Sequence, residues 1–175
     1  MTNLKQLLER HGATFTLGEI KRGDYLFRKG QVDTSIYFIE SGACRVIYES
    51  EDGENTIRFG YAGSELSALD SFLAQIPTSY SCEILKKTRY CRLLKSDFDQ
   101  ARAASGVIEA TYLKILEQLV LQQMEREIDL LVPSPAERLQ RLQRRSPSVF
   151  QHIPLKHIAA YLRMTPETLS RLRKS

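Results

Sequence analysis

The sequence lacks most of what announces a membrane protein, a disulfide scaffold or a metalloenzyme. No apolar run approaches the roughly 18–20 residues needed to cross a bilayer, so no membrane segment and no membrane partner are expected. The opening stretch MTNLKQLLERHG lacks the basic start and continuous apolar centre of a secretory signal. Leu4, Leu7 and Leu8 recur there at helical spacing, as in a short amphipathic helix of a cytoplasmic protein. Cysteine is scarce. Cys44, Cys82 and Cys91 stand singly, without the paired spacing of a zinc or iron-sulfur site, and read as buried, reduced, structural thiols. No histidine lies between His11 and His152, which removes the ligand set of a metal-bearing barrel. A Walker loop, a dinucleotide fingerprint and a nucleophile–base pair are also missing. The chain is therefore not expected to be an enzyme, and no cofactor is expected.

What the chain does carry is an uneven distribution of charge. The net charge is +4, yet from Ser134 onward nine basic residues face only Glu137 and Glu167, a net +7 that leaves −3 on the first 133 residues. A basic end on a mildly acidic body is the footprint of a polyanion-binding unit, nucleic acid above all, although a basic stretch also suits a solvated face.

Residues 14–94 are punctuated by Gly30, Gly42, Gly53 and Gly63, at intervals of 12, 11 and 10. The runs between them, such as DYLFRKG, SIYFIESG, ACRVIYES and NTIRFGY, are rich in Tyr, Ile, Phe, Val and Thr. Short strands separated by turns at this spacing predict an antiparallel sandwich or barrel, a β-roll. Asp52-Gly53 is a hairpin signal. The period then changes. From Val107 to Val132 there is neither proline nor glycine, and two apolar stripes run side by side: Ile108, Tyr112, Ile115, Leu119, and Leu113, Leu116, Val120, Met124, Ile128, Leu131. This predicts one helix of roughly 39 Å at about 1.5 Å per residue. Two stripes ask for two neighbours, the simplest second one being the same helix of another copy; a helix buried wholly inside one chain is the other reading. Pro133 and Pro135 end the helix. The expected class is α+β: a sensor β-roll over residues 1–106, a long helix over 107–132, and a small all-α unit over 133–175.

Within that last unit Ser134 can cap the helix PAERLQRLQRR, with Pro135 at its first position. PLKHIAAYL places Leu155, Ile158, Ala159 and Leu162 on one helical face, and after Arg163-Met164 a second helix opens with Thr165 as cap, Pro166 at its first position and Glu167 in its first turn. Leu169 and Leu172 can pack back on the first helix. Helix, tight turn and helix with this pattern is a helix-turn-helix arrangement, and an ordinary helical hairpin with solvated charges is the bland alternative. Glu167, Ser170, Arg171 and Lys174 share the outward face, with Pro166 at the tip. Arginine can take guanine bidentately, glutamate can accept from cytosine, and lysine and serine can hold phosphates. Arg144, Arg145 and Arg163 are further candidates for phosphate contacts.

KRGDYLFRKGQVDTSIYFIESGACRVIYESEDGENTIRFGYAGSEL, the long helix after it and HIAAYLRMTPETLSRLRK together resemble the Crp/Fnr family of bacterial transcription regulators over nearly the whole chain, and are similar to its short members from Bacteroidetes. The resemblance implies a homodimer on double-stranded DNA, with Ile108, Tyr112, Ile115 and Leu119 at the helical seam and RNA polymerase as a further candidate partner. Glu167 and Arg171 match the family's base-reading positions. Pro166 stands where another arginine is usual, and Arg163 where glycine is usual. The wing, a β-hairpin that follows the second helix, has no residues left to form it.

The resemblance also implies an effector pocket at Gly63, Ser64, Glu65, Leu66, Thr78 and Ser79. In members that bind cyclic AMP an arginine-serine pair holds the phosphate, and Thr78-Ser79 occupies that place here. Threonine cannot neutralise a phosphate, and loss of such a contact removes about two decades of affinity or more. Cyclic AMP is therefore not the expected effector, and the effector is unknown. His152 and His157, five apart, are expected in surface or helix contacts. The alternative function is a ligand-sensing or protein-docking scaffold module that has lost DNA binding; a cupin-like metalloenzyme is disfavoured by the missing histidines.

Overall fold

β-Branched and aromatic residues carry the first half of the chain into sheet. In the computed structural model, which describes residues 4–51 and 53–174, strands β1 (Thr16–Ile20), β2 (Ser35–Ser50), β3 (Gly53–Tyr61), β4 (Glu65–Leu66) and β5 (Tyr80–Leu94) pair antiparallel. The order is β1-β5-β2-β3, with β4 also on β2. Helix α1 (Leu4–Arg10) precedes the sheet, α2 (Leu69–Ala74) interrupts it, and α3 (Lys95–Ala104), α4 (Gly106–Leu131), α5 (Pro135–Arg145), α6 (Val149–His152), α7 (Leu155–Tyr161) and α8 (Pro166–Lys174) follow. An antiparallel sheet with helices gathered after it is an α+β architecture.

Two glycines read alike in sequence behave differently. Gly53 opens β3 with φ 114°, at the β2–β3 connection; its partner in the predicted turn, Asp52, lies outside the described residues. Gly42 does not turn the chain. SIYFIESG and ACRVIYES form the single strand β2, and Gly42, at φ 95°, sits among shifts of register against β5 between Ile39 and Cys44. A β-bulge bends a strand without ending it. A side chain there would run into Thr88 and the Lys87 carbonyl. DYLFRKG, predicted as a strand, is no regular one, although Leu26 N–H donates to the Cys82 carbonyl and Cys82 N–H to that of Phe27.

Three apolar clusters hold these elements together. One lies inside the roll and includes Phe27, Tyr37, Ile39, Cys44, Leu66 and Ile84. A second joins the sheet to α1, α3 and the start of α4 through Leu8, Phe38, Leu93, Phe98, Ile108 and Tyr112. The third bridges the sheet and the C-terminal helices, bringing Ala43 and Leu85 together with Leu139, Leu142, Ile158, Leu162 and Leu169. All three cysteines are buried free thiols.

The second cluster corrects the expected seam. Ile108 is fully buried and Tyr112 nearly so, its ring meeting Phe98 edge-on at 5.0 Å. Ile115 packs on the same cluster, and Leu119 is half-buried. That stripe is the inner one, because α1 and α3 of the same chain supply its apolar partners. The stripe left open is the other: Leu113, Val120, Met124, Ile128 and Leu131 are exposed, with Leu121 beside them, while Leu116 of that stripe packs on the inner cluster.

Candidate functional site

The C-terminal end of the chain is built on α7 and α8. Ile158, Ala159 and Leu162 are fully buried, and Leu169 of α8 is fully buried against them, with Leu172 at the edge of the same cluster. Leu155, expected on this face, is exposed. The turn between the helices places Arg163 at φ 52°, a left-handed backbone in which an L side chain costs about 1 kcal/mol or more. Thr165 caps α8, its hydroxyl accepting from Thr168 N–H at 3.2 Å. With the leucines turned in, Thr165, Pro166, Glu167, Ser170, Arg171 and Lys174 are all exposed. Helical spacing puts Glu167 and Arg171, and Ser170 and Lys174, one turn apart on that outer face.

The arginines of α5 are not outside. Asp129 of α4 has a fully buried side chain clamped by two guanidinium groups: Arg141 Nε at 2.7 Å on one oxygen and Arg145 at 2.5 Å on the other. Arg141 also reaches Glu125 at 2.6 Å. Burial raises the cost of charge on Asp129, but the bonds from Arg145 and Arg141 outweigh it and hold its carboxyl below the usual range. Arg138 ties the segment after α4 to the α7–α8 turn, donating to the carbonyls of Val132 (2.7 Å), Pro133 (3.0 Å), Leu162 (2.9 Å) and Arg163 (3.3 Å). Arg145, expected on phosphate, is therefore committed to Asp129. Arg144 and Arg163 remain exposed. Asp129 was missed in the sequence, where a signal existed: Glu125 and Asp129, then Arg141 and Arg145, are two pairs at four-residue spacing on either side of Pro133 and Pro135.

In the β-roll the expected pocket residues Gly63, Ser64, Thr78 and Ser79 hydrogen-bond within the protein. Gly63 N–H donates to the Ile39 carbonyl at 2.9 Å and Ser64 N–H to that of Tyr61 at 2.8 Å. Glu65 and Leu66 form β4, with Leu66 buried. Burial pushes the Glu65 carboxyl up. Thr78, expected to line the pocket, is 2% exposed, and its hydroxyl donates to Asp70 at 2.7 Å. The Asp70 carboxylate also accepts from the N–H of Ser79 at 2.8 Å and of Ser71 at 2.8 Å. Partial burial opposes its charge, yet these bonds, led by that from Ser79, keep its carboxyl below the usual range. Three donors converging on one carboxylate make a cradle for an anion, filled by the protein's own side chain.

His152 stacks on Tyr61 with ring centroids 4.7 Å apart, a helix-to-sheet contact. Among the described residues no group of three or more His, Cys, Asp or Glu is placed to hold a metal ion, and no helix is long and apolar enough to cross a membrane.

No curated protein sequence matches this chain. Solved structures do. A CooA variant from Carboxydothermus hydrogenoformans superposes with a TM-score of 0.75 at 17% identity, over 99% of this chain and 83% of that one. FixK2 from Bradyrhizobium japonicum gives 0.74 at 16% identity, over 92% and 83%. The Thermus thermophilus catabolite activator protein gives 0.59 at 21% identity, over 98% and 81%. At such identities the likeness is one of fold. Residues 17–105, just over half of the chain, match the cyclic nucleotide-binding domain. With β2 to β5, α3 and all of β1 but Thr16 inside that match, the chain belongs to the cyclic nucleotide-binding domain family.

Proposed function

We propose that this protein is a DNA-binding transcription regulator of the Crp/Fnr type, acting as a homodimer. The observation that carries the reading is the sorting of α8: Leu169 is fully buried on α7 while Glu167, Ser170 and Arg171 stand exposed on the opposite face. A capped helix with that face fits a major groove, where Arg171 and Glu167 read base edges and Lys174 and Ser170 hold phosphates. The open stripe of α4 from Leu113 to Leu131 suits pairing with a second copy, which would present two such helices to one duplex. RNA polymerase is a candidate further partner.

Cyclic AMP is not the effector in this reading. The N–H groups of Gly63, Ser64 and Ser79 already donate to protein acceptors, and the Asp70 carboxylate takes the donors of Thr78 and Ser79. The segment from Gly60 to Tyr80 carries two carboxylates, Glu65 and Asp70, and no lysine or arginine to pair with a cyclic phosphate. Calorimetric titration with cyclic AMP at the intact protein should give no micromolar binding.

The groove assignment is tested by selecting duplexes from a random pool and footprinting the winners. Arg171→Ala should relax base preference at one position of each half-site, a loss of about 1–3 kcal/mol of discrimination. Arg144→Ala should weaken every duplex alike and shallow the salt dependence by about one phosphate. Identical behaviour of the two variants would remove the assignment.

One observation favours a second reading, a docking module without DNA binding: Arg138, Arg141 and Arg145 are turned inward, so the outer surface of the C-terminal unit is less basic than its composition. Recovery of no duplex by an intact dimer would select it.

A further inference from the structure

A cleft of about 430 Å³ opens between the sheet and the start of α7. From the sheet side it is lined by Arg22, Arg45, Glu83 and Lys86, and from the helical side by Lys156 and His157. Its charges are unbalanced. Arg45 is satisfied by Glu83 at 2.6 Å and by Glu54 at 2.5 Å. Glu83 is the sole carboxylate of the lining, and Arg45 consumes it. Arg22, Lys86 and Lys156 form no ion pair among the described residues, and all three are exposed to the cleft mouth. Three cations without an ion pair among the described residues thus line one cleft at a junction between two parts of the fold, and a cleft lined by one sign of charge attracts the opposite one.

The surroundings show the same excess. His157 is half-buried, and burial first, then Arg45 and Lys156, then Arg22, push its imidazole below the usual range, with Glu83 alone acting the other way. One helical turn further along the same face of α7, Tyr161 meets Phe59 at 5.2 Å and carries the Arg126 guanidinium over its ring at 3.7 Å. Buried Nη1 atoms of Arg126 and Arg145 have no hydrogen-bond partner.

We infer that this cleft is a binding site for a phosphate monoester of nucleotide size, held by Arg22 and Lys86 from the sheet and Lys156 from α7. The volume lies within the range of small-molecule sites, about 300–1,000 Å³. Lysine and arginine from two sides supply charge-assisted bonds to a dianion, and the His157 ring can add a donor as it takes up a proton. A ligand there ties the helical unit to the sheet, because each contributes part of the site. The site is separate from the roll pocket and from α8, and it stands whether or not α8 reads DNA.

The test is isothermal titration of the full chain at low salt with adenosine 5′-monophosphate and, separately, inorganic phosphate. Lys156→Glu and Arg22→Glu should each weaken binding about tenfold or more, corresponding to about 1.4 kcal/mol per decade, and the double variant should abolish it. Lys29→Glu, an equal change of charge outside the cleft, should leave affinity within about twofold. All three positions are exposed, and a thermal melt of each variant checks that folding is retained. Tighter binding of the nucleotide than of inorganic phosphate assigns a nucleotide-type ligand, and equal binding assigns free phosphate. In proton NMR the His157 ring should titrate at higher pH with ligand bound, since the anion offsets Arg45, Lys156 and Arg22. Unchanged affinity in the double variant overturns the proposal. So does absence of binding by both probes, or a double variant that loses only affinity for duplex DNA.

Discussion

Helices α5 and α8 begin alike and serve opposite ends. Each opens on a hydroxyl cap followed by proline, Ser134-Pro135 and Thr165-Pro166, has one glutamate in its first turn, and turns leucines three apart toward its neighbours. Each is strongly basic. Yet three of the four arginines of α5 are held by the protein, whereas the basic residues of α8 lie exposed. The cause lies in what each helix packs against. Beside α5 runs the end of α4, which offers Glu125 and Asp129; beside α8 lies α7, whose facing residues Ile158, Ala159 and Leu162 are apolar. Neighbouring anions draw the arginines of α5 inward, and the apolar face of α7 leaves the basic residues of α8 exposed to solvent.

The comparison breaks most sharply at Asp129. Asp129→Ala leaves Arg141 and Arg145 without their common acceptor and should lower stability by about 3 kcal/mol, the low end for loss of one member of a buried pair. In a chain of this size that is a fall in Tm of roughly 6–12 °C by calorimetry; a loss under about 1 kcal/mol would show that the clamp is not what fixes α5. Acid should act on the same clamp. Asp129 and Asp70 both titrate below their ordinary range when folded, so the stability they contribute is present above an unfolded carboxyl value of about 4 and is lost as pH falls through their folded values. Urea midpoints between about pH 6 and 3 should fall more steeply for the wild type than for Asp129→Asn.

Smaller effects sharpen the likeness of the two helix starts. Ser134→Ala and Thr165→Ala should each cost about 1 kcal/mol, since each hydroxyl accepts from the N–H three residues on. A difference above about 1 kcal/mol between them, read from chemical denaturation, would mean that one cap also serves packing. Arg163→Gly should be mildly stabilising, by up to about 1 kcal/mol, because glycine removes the left-handed strain while the carbonyl that accepts from Arg138 is retained. No gain in Tm would show that the arginine side chain compensates for its backbone.

Much of this was legible where the signals are local. The start of α5 at Pro135, the cap at Thr165 and the end of α4 before Pro133 follow from hydroxyl and proline chemistry confined to a few residues. The two stripes of α4 were legible as well, but not which of them faces inward: Ile108 and Tyr112 are buried by α3 just before them and by α1, about a hundred residues away in sequence. Gly42 failed as a turn signal for a related reason. Its positive φ is real, but pairing with β5 carries β2 through it. The roll pocket was legible as a departure from a pattern, through Thr78, while the internal carboxylate that completes it depends on how α2 folds back over Ser79. The inward arginines were legible only as spacing, Glu125 and Asp129 against Arg141 and Arg145, because composition counts charges without their neighbours.

The apolar cluster that bridges the sheet and the C-terminal helices has a consequence for motion. Phe59, Tyr61 and Leu85 on one side and Ile158, Tyr161 and Leu162 on the other share one interior, so the terminal helices cannot swing away on a free hinge. Uncovering large side chains costs about 1.5–3 kcal/mol apiece when burial is complete. An alternative orientation is thus a rare population, and only a binding event with several kcal/mol of preference for it could make it the common one.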